Sequence, residues 1–254
     1  MTAVEHPVAD TTAGKVRGVV DARSGMRTWR GVPFGASTAH TGRFRAPQPA
    51  QRWQGLYDAS RFAPPAMQGT FGWRDAVIGT EDCLTLDIVR PDTEEELPVV
   101  VYFHGGTFVT GASNEKVLQG HLLADATQVV YVSVNFRLGV LGYLDFRSLG
   151  HDCVATPALL DQILALEWVR ANIANFGGDP NRVTIMGESA GGAAVVHLMC
   201  SPSARGLFHG AVAQSPPPAS VHSRLQAAMW VRELVNSMGL PRTTTLADLR
   251  ETSA

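Results

Sequence analysis

Basic residues are not in excess in this chain. Its 21 Lys and Arg stand against 23 Asp and Glu, a net charge of −2. That balance excludes the electropositive footprint of a nucleic-acid binder. Cysteine is scarce: Cys83, Cys153 and Cys200 are too few and too scattered for a disulfide framework. No Cys-x-x-Cys pair occurs, and no Cys/His spacing suggests zinc. Long apolar runs are also missing, none approaching the roughly 18 residues needed to cross a bilayer. Met1 to Gly14 has neither the basic start nor the apolar centre of a secretory leader. These absences predict a cytoplasmic protein with no metal, no cofactor, no nucleic-acid partner and no membrane partner. The one charge run, Glu94 to Glu96, lies between Pro91 and Pro98 and reads as a solvated loop.

What is present is ample apolar material. The 254 residues are 45% hydrophobic, enough for one α/β domain or two small ones. Gly14–Val20 and Met26–Trp29 read as a hairpin split by Ser24-Gly25, and Gly31–Pro65, rich in Pro, Gly and Arg, as irregular chain. Leu84–Val89, Val99–Phe103 and Val129–Val134 are short apolar runs suited to buried strands. Between and after them come helical patterns at Asn114–Ala126 and Pro157–Phe176. In the second, Thr156 is the expected cap and Pro157 takes the favoured first position. A strand at Arg182–Met186, a small-residue helix at Ala190–Cys200, a strand at Gly210–Gln214 and a helix near Arg224–Met238 complete the pattern. Alternation of strand and helix predicts a doubly wound, mostly parallel α/β sheet.

The sharpest motif is Gly187-Glu188-Ser189-Ala190-Gly191. A bare Gly-x-Ser-x-Gly is weak evidence, but this one lies directly between a predicted strand and a predicted helix. That is the setting of a nucleophile elbow, where a tight turn lifts a serine hydroxyl off the sheet. A phosphate-cradling turn would instead want Gly-x-Gly-x-x-Gly or Gly-x-x-x-x-Gly-Lys-Ser/Thr, and neither occurs. After Val99–Phe103 comes His104-Gly105-Gly106-Thr107-Phe108. Glycines there let backbone N–H groups approach a small oxyanion, with the N–H of Ala190 as the complementary donor. On its own that loop is also an ordinary strand exit. His104 reads as a structural ring at its base.

These motifs and their neighbours resemble the type-B carboxylesterases. The resemblance rests on Phe176-Gly177-Gly178-Asp179-Pro180 leading into the serine box, and on Glu81-Asp82-Cys83-Leu84-Thr85-Leu86-Asp87-Ile88. Gly31-Val32-Pro33-Phe34, Arg43-Phe44, Asn135-Phe136-Arg137-Leu138-Gly139 and Leu160-Asp161-Gln162 add to it. It runs from about Gly14 to about Ser215. It implies an α/β-hydrolase fold, with residues 1–254 forming the N-terminal part of one domain. It also implies a small-molecule carboxylic ester as substrate and Ser189 as the acyl-accepting nucleophile. The oxyanion hole would be the N–H groups of Gly106, Thr107 and Ala190. Thr107 departs from the small Gly or Ala usual there, and its β-branch narrows the acyl pocket. Two structural ion pairs follow, Arg43 with Glu81 and Arg137 with Asp161. An acyl pocket lined partly by Phe71, Trp73 and Phe108 is expected. Cys83 matches a position that is disulfide-bonded in secreted relatives, but no cysteine precedes it here.

The family triad runs Ser, then acid, then His. After Ser189 the histidines are His197, His209 and His222, and the first acid, Glu233, follows all of them. No triad in that order can be completed, so the chain is read as truncated after the nucleophile half and weakly active alone. The alternative is an inactive remnant or a protein-binding module of the same fold. An uncovered strand at Gly210–Gln214 would then invite association through the sheet edge or with a missing C-terminal half.

Overall fold

The computed structural model describes residues 6–70, 76–217 and 221–252. Seven strands form its central sheet: β1 (Val19–Val20), β2 (Arg27–Pro33), β3 (Thr85–Arg90), β4 (Leu97–Phe103), β5 (Val130–Val134), β6 (Gly178–Glu188) and β7 (Gly210–Gln214). Their spatial order is β7-β6-β4-β5-β3-β2-β1. From β5 through β4 and β6 to β7 every pairing is parallel. From β5 through β3 and β2 to β1 every pairing is antiparallel. Every residue of β3 and β5 is buried, as apolar runs covered on both faces should be.

Among the described residues six α-helices accompany the sheet: α1 (His121–Thr127), α2 (Gly139–Tyr143), α3 (Pro157–Asn172), α4 (Ala190–Cys200), α5 (Arg224–Ser237) and α6 (Leu246–Glu251). The α3 helix buries residues on nearly every side, among them Ile163, Leu166, Trp168 and Val169. Pro157 opens it as expected, but the Thr156 side chain makes no capping bond. A short 3₁₀ turn, Ile173–Phe176, continues it to Gly177. The Arg90 guanidinium closes that end by donating to the Phe176 carbonyl at 2.9 Å. None of the described helices is long and apolar enough to cross a membrane.

Two local expectations are corrected. The stretch expected as one helix from Asn114 to Ala126 is a 3₁₀ turn, Lys116–Leu118, followed by α1. Gly120 breaks it: its φ is 76°, and a Cβ there would lie 2.0 Å from the Tyr131 ring. The hairpin is shorter than expected, because only β1 pairs with β2. Lys15–Arg17 leaves to form a side sheet with Val8–Asp10 and Leu56–Asp58. The α6 helix, not expected at all, starts with a capping box between Thr245 and Asp248.

Along β7, Ala211 to Gln214 are exposed, and its outer edge has no described neighbour. Both expected ion pairs form and are buried. Arg43 grips Glu81 through two bonds of 2.5 Å. Its remaining nitrogen reaches across the chain to the carbonyls at the end of α6, Leu249 at 3.2 Å and Thr252 at 2.6 Å. Arg137 binds Asp161 at 2.6 and 2.9 Å.

Candidate active site

The β6 strand ends at Glu188 and α4 begins at Ala190, so Ser189 alone makes the turn between them. Its φ of 55° and ψ of −119° are a conformation that a non-glycine residue adopts only under strain. Two bonds hold it: its N–H donates to Gln214 O at 2.9 Å, and its carbonyl accepts from Ala193 N at 2.9 Å. Ser189 is half-buried, and no hydrogen bond among the described residues engages its hydroxyl.

The glycine at the second motif position after Ser189 is dictated by packing. A Cβ on Gly191 would fall 2.0 Å from the Phe103 carbonyl oxygen, which lies in the adjacent β4 backbone. Gly191→Ala should therefore push α4 off the sheet and lower stability by about 1–3 kcal/mol. Urea midpoints of parent and variant check this, and an unshifted midpoint would show that the elbow has slack.

The loop after β4 is fixed by its peptide planes. A trans peptide points its C=O and N–H in opposite directions. His104 Nδ1 lies 2.8 Å from Gly105 O and must be the donor, since a carbonyl can only accept. The same peptide's N–H, that of Gly106, is thereby turned the other way. Gly106 O accepts from Val109 N at 3.1 Å, Thr110 N at 2.9 Å, and the Thr107 and Thr110 hydroxyls at 2.8 and 3.2 Å. That concentration of donors turns the N–H of Thr107 outward as well. The N–H groups of Gly106, Thr107 and Ala190 donate to no acceptor among the described residues. Thr107 and Phe108 both hold a positive φ, 53° and 66°, which these bonds compensate. The loop stands against the elbow: a Cβ built on Gly105 would be 3.4 Å from Ser189 Cβ and 3.1 Å from Glu188 Oε2.

His104 is a structural ring, as expected. It is 2% exposed and stacks on Phe136 with centroids 4.5 Å apart. Burial pushes its pKa down to about 4, so it is neutral near pH 7, with the proton on Nδ1. Of the histidines that follow Ser189, two are engaged elsewhere. His209 accepts from Val183 N at 3.3 Å, and His222 packs edge-on against Trp230. His197 faces a cleft of about 860 Å³ that runs from Phe108 past α2 and α3 to α5. Ser189 does not line that cleft. Phe71 and Trp73 lie outside the described residues.

Sequence reasoning gave no role to two carboxylates that contact the loop after β4. Glu188, inside the motif itself, brings a carboxylate to the face of the Gly105 loop. Asp87 accepts from the Ser113 hydroxyl at 2.5 Å, just beyond that loop. Glu188 was findable from adjacency; Asp87 was not, because only the fold brings it to Ser113.

The chain as a whole has known relatives. The chain is 38% identical over 215 residues to the para-nitrobenzyl esterase of Bacillus subtilis (strain 168), covering 83% of this chain and 44% of that protein. It is 41% identical over 230 residues to carboxylesterase 3B of Mus musculus, covering 84% and 39%. Among solved structures, a PNB esterase superposes with a TM-score of 0.90 at 35% identity, over 98% of this chain and 52% of that one. The chain thus spans about half the length of the relatives it matches. The profile of the Carboxylesterase family matches residues 5–253, nearly end to end, and the chain belongs to that family.

Proposed function

We propose that the chain carries the nucleophile half of a serine carboxylesterase site acting on a small carboxylic ester. The Ser189 oxygen forms a bond to the acyl carbon, and the ester C–O bond to the alcohol breaks. The hydroxyl proton passes to the departing alkoxide, and water later returns the serine. The N–H groups of Gly106, Thr107 and Ala190 serve as the oxyanion donors. One observation carries this reading: a loop whose Gly105 and Gly106 carbonyls are bonded within the loop faces a serine held in a strained turn. Donors fixed before the reaction cost no reorganisation when charge develops. Thr107, β-branched beside the expected acyl position, favours short acyl groups.

A second reading is favoured by the unengaged Ser189 hydroxyl. With no described base beside it, the chain by itself acts as a binding partner rather than a catalyst. The open edge of β7 is then the surface for association, with a C-terminal carboxylesterase segment as the fitting occupant. The free thiols Cys83, Cys153 and Cys200 fit a reducing, cytoplasmic setting.

Incubating the chain with p-nitrophenyl acetate and mapping the acetyl group by peptide mass spectrometry separates the readings. Acetyl on Ser189 supports the catalytic one. Acetyl on lysines alone, with Ser189 unmodified, would leave only the binding reading.

A further inference from the structure

Asp87 stands in the middle of β3, 6% exposed. Among the described residues no cation pairs with it. Arg30 acts on it only through space, its own guanidinium being bound to Asp21 at 3.0 Å. An unpaired carboxylate buried in a sheet is costly unless its oxygens are satisfied. Here both are: Oδ1 accepts from Gly31 N at 2.7 Å, and Oδ2 accepts from Ser113 Oγ at 2.5 Å. Burial still lifts its carboxyl to about 6.

Ser113 is where the loop that starts at His104 rejoins the body of the protein. Its N–H donates to Asn135 Oδ1 at 2.8 Å, and its carbonyl accepts from the Ser133 hydroxyl. Asn135 is fastened in turn to Thr85, its N–H donating to the Thr85 carbonyl at 3.0 Å. One turn earlier, the Gln68 amide clasps Gly111 from both sides at 2.9 Å. The loop is therefore tied near its start by His104 and near its end, at Ser113, by a polar cluster on β3 and β5. Gly106 and Thr107 lie between those two anchors.

We propose that Asp87 is a positioning residue for acyl transfer, fixing the far end of the 104–114 loop through Ser113 and so holding the Gly106 and Thr107 N–H groups toward Ser189. The proposal rests on the reading of those groups as oxyanion donors. Asparagine can replace the carboxylate, since its Oδ1 accepts from Gly31 N and its Nδ2 donates to Ser113 Oγ. Alanine cannot, and it leaves a buried N–H and a buried hydroxyl without partners.

The test is amide hydrogen exchange of the full chain, run for parent, Asp87→Asn, Asp87→Ala and Ser113→Ala at one temperature where all keep the parent's far-ultraviolet dichroism. The rate of Ser189 acetylation is measured in parallel. In Asp87→Ala, exchange across residues 105–114 should rise ~10-fold and acetylation should fall ~10-fold, with β6 unchanged. Asp87→Asn should stay within about twofold of parent on both readouts. Ser113→Ala cuts the same link from the loop side and should reproduce the alanine result even if Asp87→Ala fails to fold. Exchange rising equally in loop and β6, or not at all, overturns the proposal. So does an opened loop with acetylation unchanged. A parent chain that takes no acetyl at Ser189 fails the nucleophile reading instead, and the exchange data then decide the anchor on their own.

Discussion

Hydrolysis of p-nitrophenyl butyrate by this chain alone is expected to run ~10²–10⁴-fold below that of a full-length para-nitrobenzyl esterase assayed beside it. Ser189→Ala should remove whatever exceeds the protein-free rate. The factor is what a positioned general base supplies, and no described histidine or carboxylate bonds to the Ser189 hydroxyl. On the proposed reading the Gly106, Thr107 and Ala190 N–H groups remain as oxyanion donors, and such donors with binding alone can leave an acceleration of about 10³–10⁴ over water. A chain rate within tenfold of the full-length enzyme would mean that a base reaches Ser189 from within these residues. A residual rate that survives Ser189→Ala would mean that the serine is not the nucleophile.

Asp161→Ala is expected to cost about 3–5 kcal/mol, the largest loss of stability among single changes considered. Asp161 and Arg137 are 0% and 3% exposed. The carboxylate accepts from Arg137 Nε, Nη2 and backbone N at 2.9, 2.6 and 3.1 Å. Removing it strands a guanidinium whose other bond, to Arg45 O at 2.9 Å, cannot neutralise the charge. Against a typical total of about 5–15 kcal/mol, the loss takes roughly a fifth or more. Urea unfolding at neutral pH measures it. Arg137→Met with Asp161→Leu should be milder than either single change, because no charge is left buried. A double variant as damaged as Asp161→Ala would show that packing, not charge, is lost at this site.

The strand–turn–helix around Ser189 was legible because everything that defines it is local: an apolar run, five motif residues and a small-residue helix, all contiguous. The strands at β4 and β5 were legible for the same reason, their apolar runs being short and unbroken. The α1 start was misread because the apolar spacing through Asn114–Ala126 hides the demand that Tyr131 places on Gly120. That demand comes from a strand later in sequence. The ion pairs were legible only through family resemblance, since nothing local joins Arg43 to Glu81. Asp87 reads as one polar residue in a strand, and its partner Ser113 is 26 residues away. Thr245 and Asp248, by contrast, lie within one turn, and their capping pattern could have revealed α6.

The Arg43 clasp has a consequence for how the molecule comes into being. Its bond to Leu249 joins residues 206 apart in sequence. Contacts of such high order form late in folding, because a long closure entropy precedes any return. At roughly 5–20 residues per second of synthesis, Arg43 waits about 10–40 s on the ribosome for its partner carbonyls. Until then its guanidinium has only Glu81, and the segment around Phe44 lacks the α6 residues that cover it. The nascent chain therefore carries an unfinished seam for the 206 residues of synthesis that separate Arg43 from Leu249, which makes that interval the window for chaperone capture.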